Sequence, residues 1–161
     1  MIGRLPAGLA PWHPAAWLAT WFGAGLLPIA PGTWGSLAAL PCAWLIHAYL
    51  GGRGLAIAVV VIFAAGLWAA DRYAKGSAMV DPGAVVIDEV AGQWAVLLMV
   101  EPDLLLYGLG FVLFRAADIV KPWPVSWADR RLGGGLGIMV DDILAAVYAG
   151  ALLYGAAWMM A

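Results

Sequence analysis

At 161 residues the chain has the length of one domain, so residues 1–161 are read as a single unit. Hydrophobic residues make up 65% and charged residues 11%, against about 45–50% and about 25% in soluble chains, which excludes an ordinary water-soluble domain and predicts an all-α integral membrane protein. A formal net charge of −2 excludes a basic face for nucleic acid, and the single cysteine, Cys42, has no intramolecular disulfide partner.

Near the N-terminus Arg4 is followed by Pro6, Pro11 and Pro14, which interrupt the basic, apolar and small-residue succession of a cleaved leader. Residues 14 to 31 are apolar but contain Gly23, Gly25 and Pro28, with Trp17 and Trp21 near the start. A crossing needs about 20 apolar residues, so this piece is borderline. Ala30 to Ser36 reads APGTWGS, which places Thr33 or Ser36 to cap a helix whose N-terminus could also receive phosphate. Clearer spans run from Ser36 to Leu50, Gly54 to Ala70, Ala84 to Val100, Leu104 to Ala117, and Ile143 to the C-terminus. If residues 14 to 31 do not span, Arg4, Arg72, Lys75, Arg115, Lys121, Arg130 and Arg131 share one side and only Arg53 lies on the other. That asymmetry matches the positive-inside rule. The expected fold is a compact bundle of about five transmembrane helices plus a re-entrant or interfacial N-terminal segment, with the polar loops on the cytoplasmic face. Small residues four apart, such as Gly66 and Ala70 or Ala146 and Gly150, suit close helix packing. His13 and His47 have no ligand-like neighbours in sequence and read as structural.

Asp88 and Glu89 stand about one turn into an apolar stretch, where a carboxylate costs about 2.5–3.5 kcal/mol at the centre of a spanning helix. A divalent cation with oxygen ligands would offset that cost; the plainer reading is two acids favoured by a helix N-terminus. The densest charge lies between Arg115 and Asp142, with four carboxylates (Asp118, Asp129, Asp141, Asp142) and four bases (Arg115, Lys121, Arg130, Arg131). Arg115, Asp118 and Lys121 are spaced by three and share one helical face, and Pro122 then ends the helix at Lys121. A salt-bridged cluster snorkelling at the membrane edge has the same pattern. Trp123 and Trp127 read as interfacial anchors. Arg130 and Arg131 precede Gly133, Gly134, Gly135 and Gly137, after which Asp141 and Asp142 open the last helix. Guanidinium forks and turned backbone N–H groups grip phosphate, although a flexible loop followed by capping acids is the ordinary alternative. Three carboxylate groups at cytoplasmic helix ends can converge, and acids for a cation beside bases for an anion suggest a metal-dependent phosphatase acting on a lipid headgroup. A phosphocysteine route is excluded, because Ala48 stands where a cysteine phosphatase loop would place its arginine after Cys42.

The segments APGTWGS, VIDEVAG and FRAADIVKPWPVSWADRRLGGGLGIMVDDILA resemble the phosphatidylglycerophosphatase A family, in order from about Gly25 to Gly150. The resemblance implies a multi-pass enzyme of the bacterial cytoplasmic (inner) membrane with its site on the cytoplasmic side. It implies that Mg²⁺ is required and that the terminal phosphate of phosphatidylglycerophosphate is removed to give phosphatidylglycerol, in phospholipid biosynthesis. It points to Asp88, Glu89, Asp118, Lys121, Asp141 and Asp142, with Thr33 and Arg131, as site residues. The expected roles are Asp88, Glu89, Asp141 and Asp142 on the metal, and Asp118 and Lys121 in catalysis with Asp118 as proton acceptor. Thr33, Lys121, Arg130 and Arg131 are expected on the substrate phosphate. Ala117 departs from the family pattern, where a bulkier apolar residue is expected. The expected partners are the lipid substrate and the surrounding membrane lipids; the pattern fixes no oligomeric state. The competing class is a small cation-binding transport or channel-like protein without hydrolysis, and a purely structural bundle with capped helix ends is the third.

Overall fold

The computed structural model describes residues 5, 6, 8–77 and 82–160; Arg4, part of the charge-sidedness argument, lies outside them. The described residues contain helices and no strand: α1 (Pro14–Ala19), a 3-10 turn (Ala24–Leu26), α2 (Pro31–Gly76), α3 (Ile87–Leu97), α4 (Leu104–Val120), α5 (Val125–Arg131) and α6 (Gly134–Met160).

Helix α2 is interrupted at Gly51, whose φ of 68° and ψ of −178° are not helical. The chain must reverse there. Gly35 lies against Val86 while Gly66 lies against its neighbour Ile87, yet 31 residues of unbroken helix would separate the two glycines by about 46 Å. The arms, residues 31–50 and 52–76, are about 30 Å and about 37 Å long at 1.5 Å per residue. They correspond to the two spans expected over 36–50 and 54–70. Only a residue tolerant of positive φ fits this reversal cheaply.

Helix α3 is shorter than the span expected over 84 to 100. Its 11 residues extend about 16 Å, and Ile87, Val90, Ala91, Val96 and Leu97 are fully buried. Apart from Asp88, Glu89 and Gln93 the segment is apolar, as suits a helix that its neighbours enclose. Helix α2 packs on it, as do α6 and α4. The Trp94 indole donates to the Ala39 carbonyl at 2.9 Å and ties α3 to the first arm of α2.

Asp103 caps α4 by accepting from the Leu106 N–H at 2.9 Å, and α4 ends where Lys121 turns left-handed, φ 48°, ahead of Pro122. The following stretch, expected to be loop, contains the seven-residue α5. Helix α6 starts at Gly134, nine residues before the expected Ile143, so Asp141 and Asp142 lie two turns inside it and do not cap its first turn. The glycines explain the difference. A Cβ at Gly135 would overlap the Leu67 carbonyl, and one at Gly137 the Leu132 carbonyl. These residues let α6 approach its neighbours closely and remain helical.

The capping role expected of Thr33 or Ser36 is also corrected. Helix α2 starts after Ala30 without a side-chain cap, and the Ser36 hydroxyl donates within the helix to the Gly32 carbonyl at 2.9 Å. Residues 14 to 31 form α1 and the 3-10 turn, six and three residues long, too short to cross a bilayer. They pack against the bundle, with the Val86 N–H donating to the Ala19 carbonyl at 2.7 Å.

One end of the bundle holds the start of α2, the start of α3, the end of α4 and the early turns of α6. The other holds the Gly51 reversal and the His47–Glu101 pair at 3.5 Å. Helices α2 and α6 are each long and apolar enough to cross a membrane. Ile57, Val60, Val61, Val112, Val147 and Leu152 point outward, each at least 60% exposed.

Candidate metal and phosphate site

At the first end of the bundle, Asp88 and Glu89 project from the first turn of α3 toward Asp142 on α6. One oxygen from each of the three carboxylates lies within 4.8 Å of the others. Two glycines make room for this. A Cβ at Gly32 would overlap Glu89 Oε1, and one at Gly92 would lie 2.6 Å from the Phe114 ring and 3.1 Å from the Asp142 carbonyl. Adjacent helical residues point about 100° apart, so Asp88 and Glu89 reach a common point only between their faces, where Asp142 arrives.

From the end of α4, Asp118 lines the same cavity, its charge felt by Asp142. Arg115, one turn earlier, puts Nη1 2.7 Å from Asp118 Oδ2 and 3.7 Å from Glu89 Oε1. On the opposite wall Lys121 Nζ lies 2.7 Å from Asp129 Oδ1 on α5 and also donates to Asp141. Partial burial would lower the Lys121 pKa, but the hydrogen bonds it donates to Asp129 and Asp141 outweigh it and raise the value above the usual 10.5. The ammonium therefore stays charged.

These groups line a cavity of about 300 Å³, together with Ala30, Pro31 and Gly32 at the start of α2. Among the described residues, six carboxylates and two cations border it (Asp88, Glu89, Asp118, Asp129, Asp141 and Asp142 against Arg115 and Lys121). Asp88 Oδ1, Glu89 Oε2 and Asp142 Oδ2 are buried without a hydrogen-bond partner. Buried anionic oxygens with no donor are costly. A hard divalent cation fits this arrangement, because carboxylate oxygens are the ligands Mg²⁺ takes, with substrate phosphate and water completing its shell.

The structure brings together Asp88, Glu89 and Asp142, with Asp118 beside them. Asp141 lines the same cavity but is turned to Lys121 and stands apart from the three-carboxylate group. Thr33, Arg130 and Arg131 do not line the cavity. Arg130 and Arg131 are exposed, and the Arg130 Nε donates back to the Ser126 carbonyl at 2.8 Å along α5. Helical geometry in α5 turns both guanidinium groups outward, while a loop could have brought them in. Arg115 and Asp129 had no place among the expected site residues. The spacing of Arg115 to Asp118 was the available signal for the first; for Asp129, eight residues beyond Lys121 across Pro-Trp-Pro, sequence offered none.

The phosphatidylglycerophosphatase A family model matches residues 17–157. The chain is 41% identical to the Escherichia coli (strain K12) protein named phosphatidylglycerophosphatase A, over 89% of this chain and 82% of that one. It is 36% identical to the Haemophilus influenzae protein of the same name, over 92% and 91%. It is also 39% identical, over 89% and 93%, to a Bacteroides thetaiotaomicron protein named provisionally as a phosphatidylinositol-3-phosphatase. No solved structure matches. A family match across nearly the whole chain, with two full-length relatives of the same name, means that this chain belongs to the phosphatidylglycerophosphatase A family.

Proposed function

We propose that the chain is a Mg²⁺-dependent lipid phosphatase of the bacterial cytoplasmic membrane, releasing the terminal phosphate of phosphatidylglycerophosphate to leave phosphatidylglycerol. The observation that carries this reading is the group of three carboxylates, Asp142 buried and Asp88 and Glu89 half-buried, which bring one oxygen each within 4.8 Å of the others and each keep a buried oxygen without a partner, at the mouth of an apolar bundle in a chain of this family. In this reading the two arms of α2 cross the bilayer with α4 and α6, α3 is a fifth passage shielded by protein, and residues 14 to 31 lie at the inner interface. The outward apolar side chains then face lipid, and the cavity opens at the cytoplasmic rim where a headgroup resides.

Asp88, Glu89 and Asp142 would hold the cation. When bound, Mg²⁺ supplies Lewis acidity toward phosphoryl oxygens and makes water a better nucleophile. Asp118 would accept the proton of the attacking water, with its pair to Arg115 holding the carboxylate in position. Lys121, fixed by Asp129 and Asp141, keeps a positive charge on the wall facing the carboxylates. Phosphoryl transfer asks little covalent work of the protein, so position and charge carry the catalysis.

The test is phosphate release from phosphatidylglycerophosphate by the purified protein in detergent. Release that requires Mg²⁺ and disappears in a folded Asp88→Asn variant supports the reading. Cation flux without phosphate release would favour the transport class. The Bacteroides relative's name supports a second headgroup, so phosphatidylinositol 3-phosphate belongs in the same assay; preferential release from it would move the substrate assignment and leave the chemistry intact.

A further inference from the structure

We propose that Arg115 is the group that grips the phosphoryl oxygens of the substrate. The proposal rests on the phosphatase reading above and deepens it, naming a residue that neither the motif reading nor the family comparison assigns to phosphate.

Of the two cations among the described residues that line the cavity, Lys121 has two of its three donors engaged by Asp129 and Asp141, while Arg115 meets Asp118 and Glu89 through Nη1 alone, at 2.7 Å and 3.7 Å. Arg115 offers five N–H donors in a planar fork, and its Nε is buried with no hydrogen-bond acceptor. Its side chain is only 15% exposed, yet it lines the cavity. A charged donor buried without an acceptor calls for an anion, and a guanidinium matches phosphate in shape as well as charge.

The second observation lies on α2. Nη1 of Arg115 sits 3.2 Å from where a Gly32 Cβ would be, so the guanidinium faces the first turn of that helix. Thr33 and Trp34 N–H groups bond back to the Ala30 carbonyl, and no side chain caps the turn. Ala30, Pro31 and Gly32 border the same cavity. A Cβ at Gly32 would also overlap Glu89 Oε1, so glycine at position 32 leaves room for the guanidinium and the Glu89 carboxylate side by side. An anion gripped by Arg115 from the cavity would therefore lie beside the three-carboxylate group.

The experiment uses the full-length protein in detergent with inorganic phosphate and Mn²⁺ as probes. Arg115→Lys keeps a positive charge but loses the fork, and Arg72→Gln, on the exposed face of α2, serves as control. Arg115→Lys is expected to weaken phosphate inhibition about ten- to a hundredfold, the equivalent of one or two charge-assisted hydrogen bonds, while Mn²⁺ affinity measured by electron paramagnetic resonance changes less than about threefold. A phosphate inhibition constant like that of wild type overturns the proposal. So does an equal loss of Mn²⁺ and phosphate affinity, which would mean that Arg115 only holds Asp118 and Glu89 in place. The wild-type protein provides a check that does not depend on the variant folding: phenylglyoxal modification mapped by mass spectrometry with and without phosphate. Protection of Arg115 with no protection of Arg72 is expected, and no effect of phosphate on Arg115 modification overturns the proposal. If the wild type binds phosphate through Arg115 but releases none from phosphatidylglycerophosphate, the substrate assignment falls and the anion site stands.

Discussion

Replacing Asp142 by Asn separates the stability of the metal-free protein from that of the metal-bound one, with opposite signs. The three carboxylates of Asp88, Glu89 and Asp142 lie within 4.8 Å of one another. At that distance each charged pair repels by about 3.5 kcal/mol with an effective dielectric of about 20. The nearby Arg115, with Nη1 3.7 Å from Glu89 Oε1, offsets most of this, so a net gain of about 1–2 kcal/mol is expected when one charge is removed without metal. For a chain of this length that gain corresponds to a rise of about 2–8 °C in Tm. With Mg²⁺ the order reverses. Wild type gains about 2.7 kcal/mol at a hundredfold excess over its Kd, whereas the variant, one ligand short, gains little. The assay is thermal melting in detergent micelles across a Mg²⁺ titration after chelation, with phosphate release measured in parallel. Crossing melting curves and loss of activity are expected. A metal-free Asp142→Asn protein that melts below wild type, or one that Mg²⁺ stabilises as much as wild type, would refute the shared cation site.

Gly92→Ala places a methyl group 2.6 Å from the Phe114 ring and 3.1 Å from the Asp142 carbonyl; a loss of about 1–3 kcal/mol is expected for such overpacking, measured as a lower Tm with weaker Mg²⁺ stabilisation. Gly135→Ala meets the Leu67 carbonyl and is expected to lose a similar amount of stability, with Mg²⁺ stabilisation reduced less because no cation ligand is displaced. Arg131→Gln alters an exposed residue outside the cavity, so kcat/KM is expected to change less than about threefold, in keeping with surface substitutions of about 0.5 kcal/mol; a loss of a hundredfold would return Arg131 to the phosphate. For Lys121 the folded pKa is raised above 10.5, so its clamp contributes fully below pH 10.5 and is lost only as pH rises through the higher folded value. Any alkaline fall in activity between pH 7 and 10 is therefore expected to persist in Asp129→Asn with its midpoint unmoved, as read from the pH profile of kcat/KM.

Much of the site was legible because charge is scarce in this chain. In an apolar sequence each carboxylate marks either a helix end or a function, and Asp88, Glu89, Asp118 and Asp142 stood out on that ground alone. Helical spacing also carried real information for Arg115 and Asp118, which share one face of α4 and pair at 2.7 Å, whereas Lys121, left-handed just past the helix end, turns to Asp129 and Asp141 instead. What the residues could not convey was which apolar segments touch lipid and which touch protein. Helix α3 and the arms of α2 are alike in composition, yet α3 is enclosed and only 11 residues long. Its ends are set by neighbours that sequence does not display. The glycines of residues 133 to 137 misled for a related reason: glycine serves a flexible turn and a close helix contact equally well, and here contact with Leu67 and Leu132 decides.

The two acidic pairs illustrate the remaining ambiguity and its physical origin. Asp88–Glu89 and Asp141–Asp142 look equivalent as sequence, each two adjacent carboxylates on a helix with faces about 100° apart. In α3 the pair occupies the first turn, α6 closes over the gap between the two faces, and both carboxylates reach Asp142. In α6 the pair lies in the helix interior, between two different neighbours. One face meets α3 and gives Asp142 to the carboxylate group, and the other meets Lys121 and gives Asp141 to the clamp. A helix interior with partners on both sides must divide such a pair, while a helix end facing one partner can use both members. In the proposed site the cation ligands would therefore come as two from α3 and one from α6, with the fourth acid anchoring the lysine across the cavity.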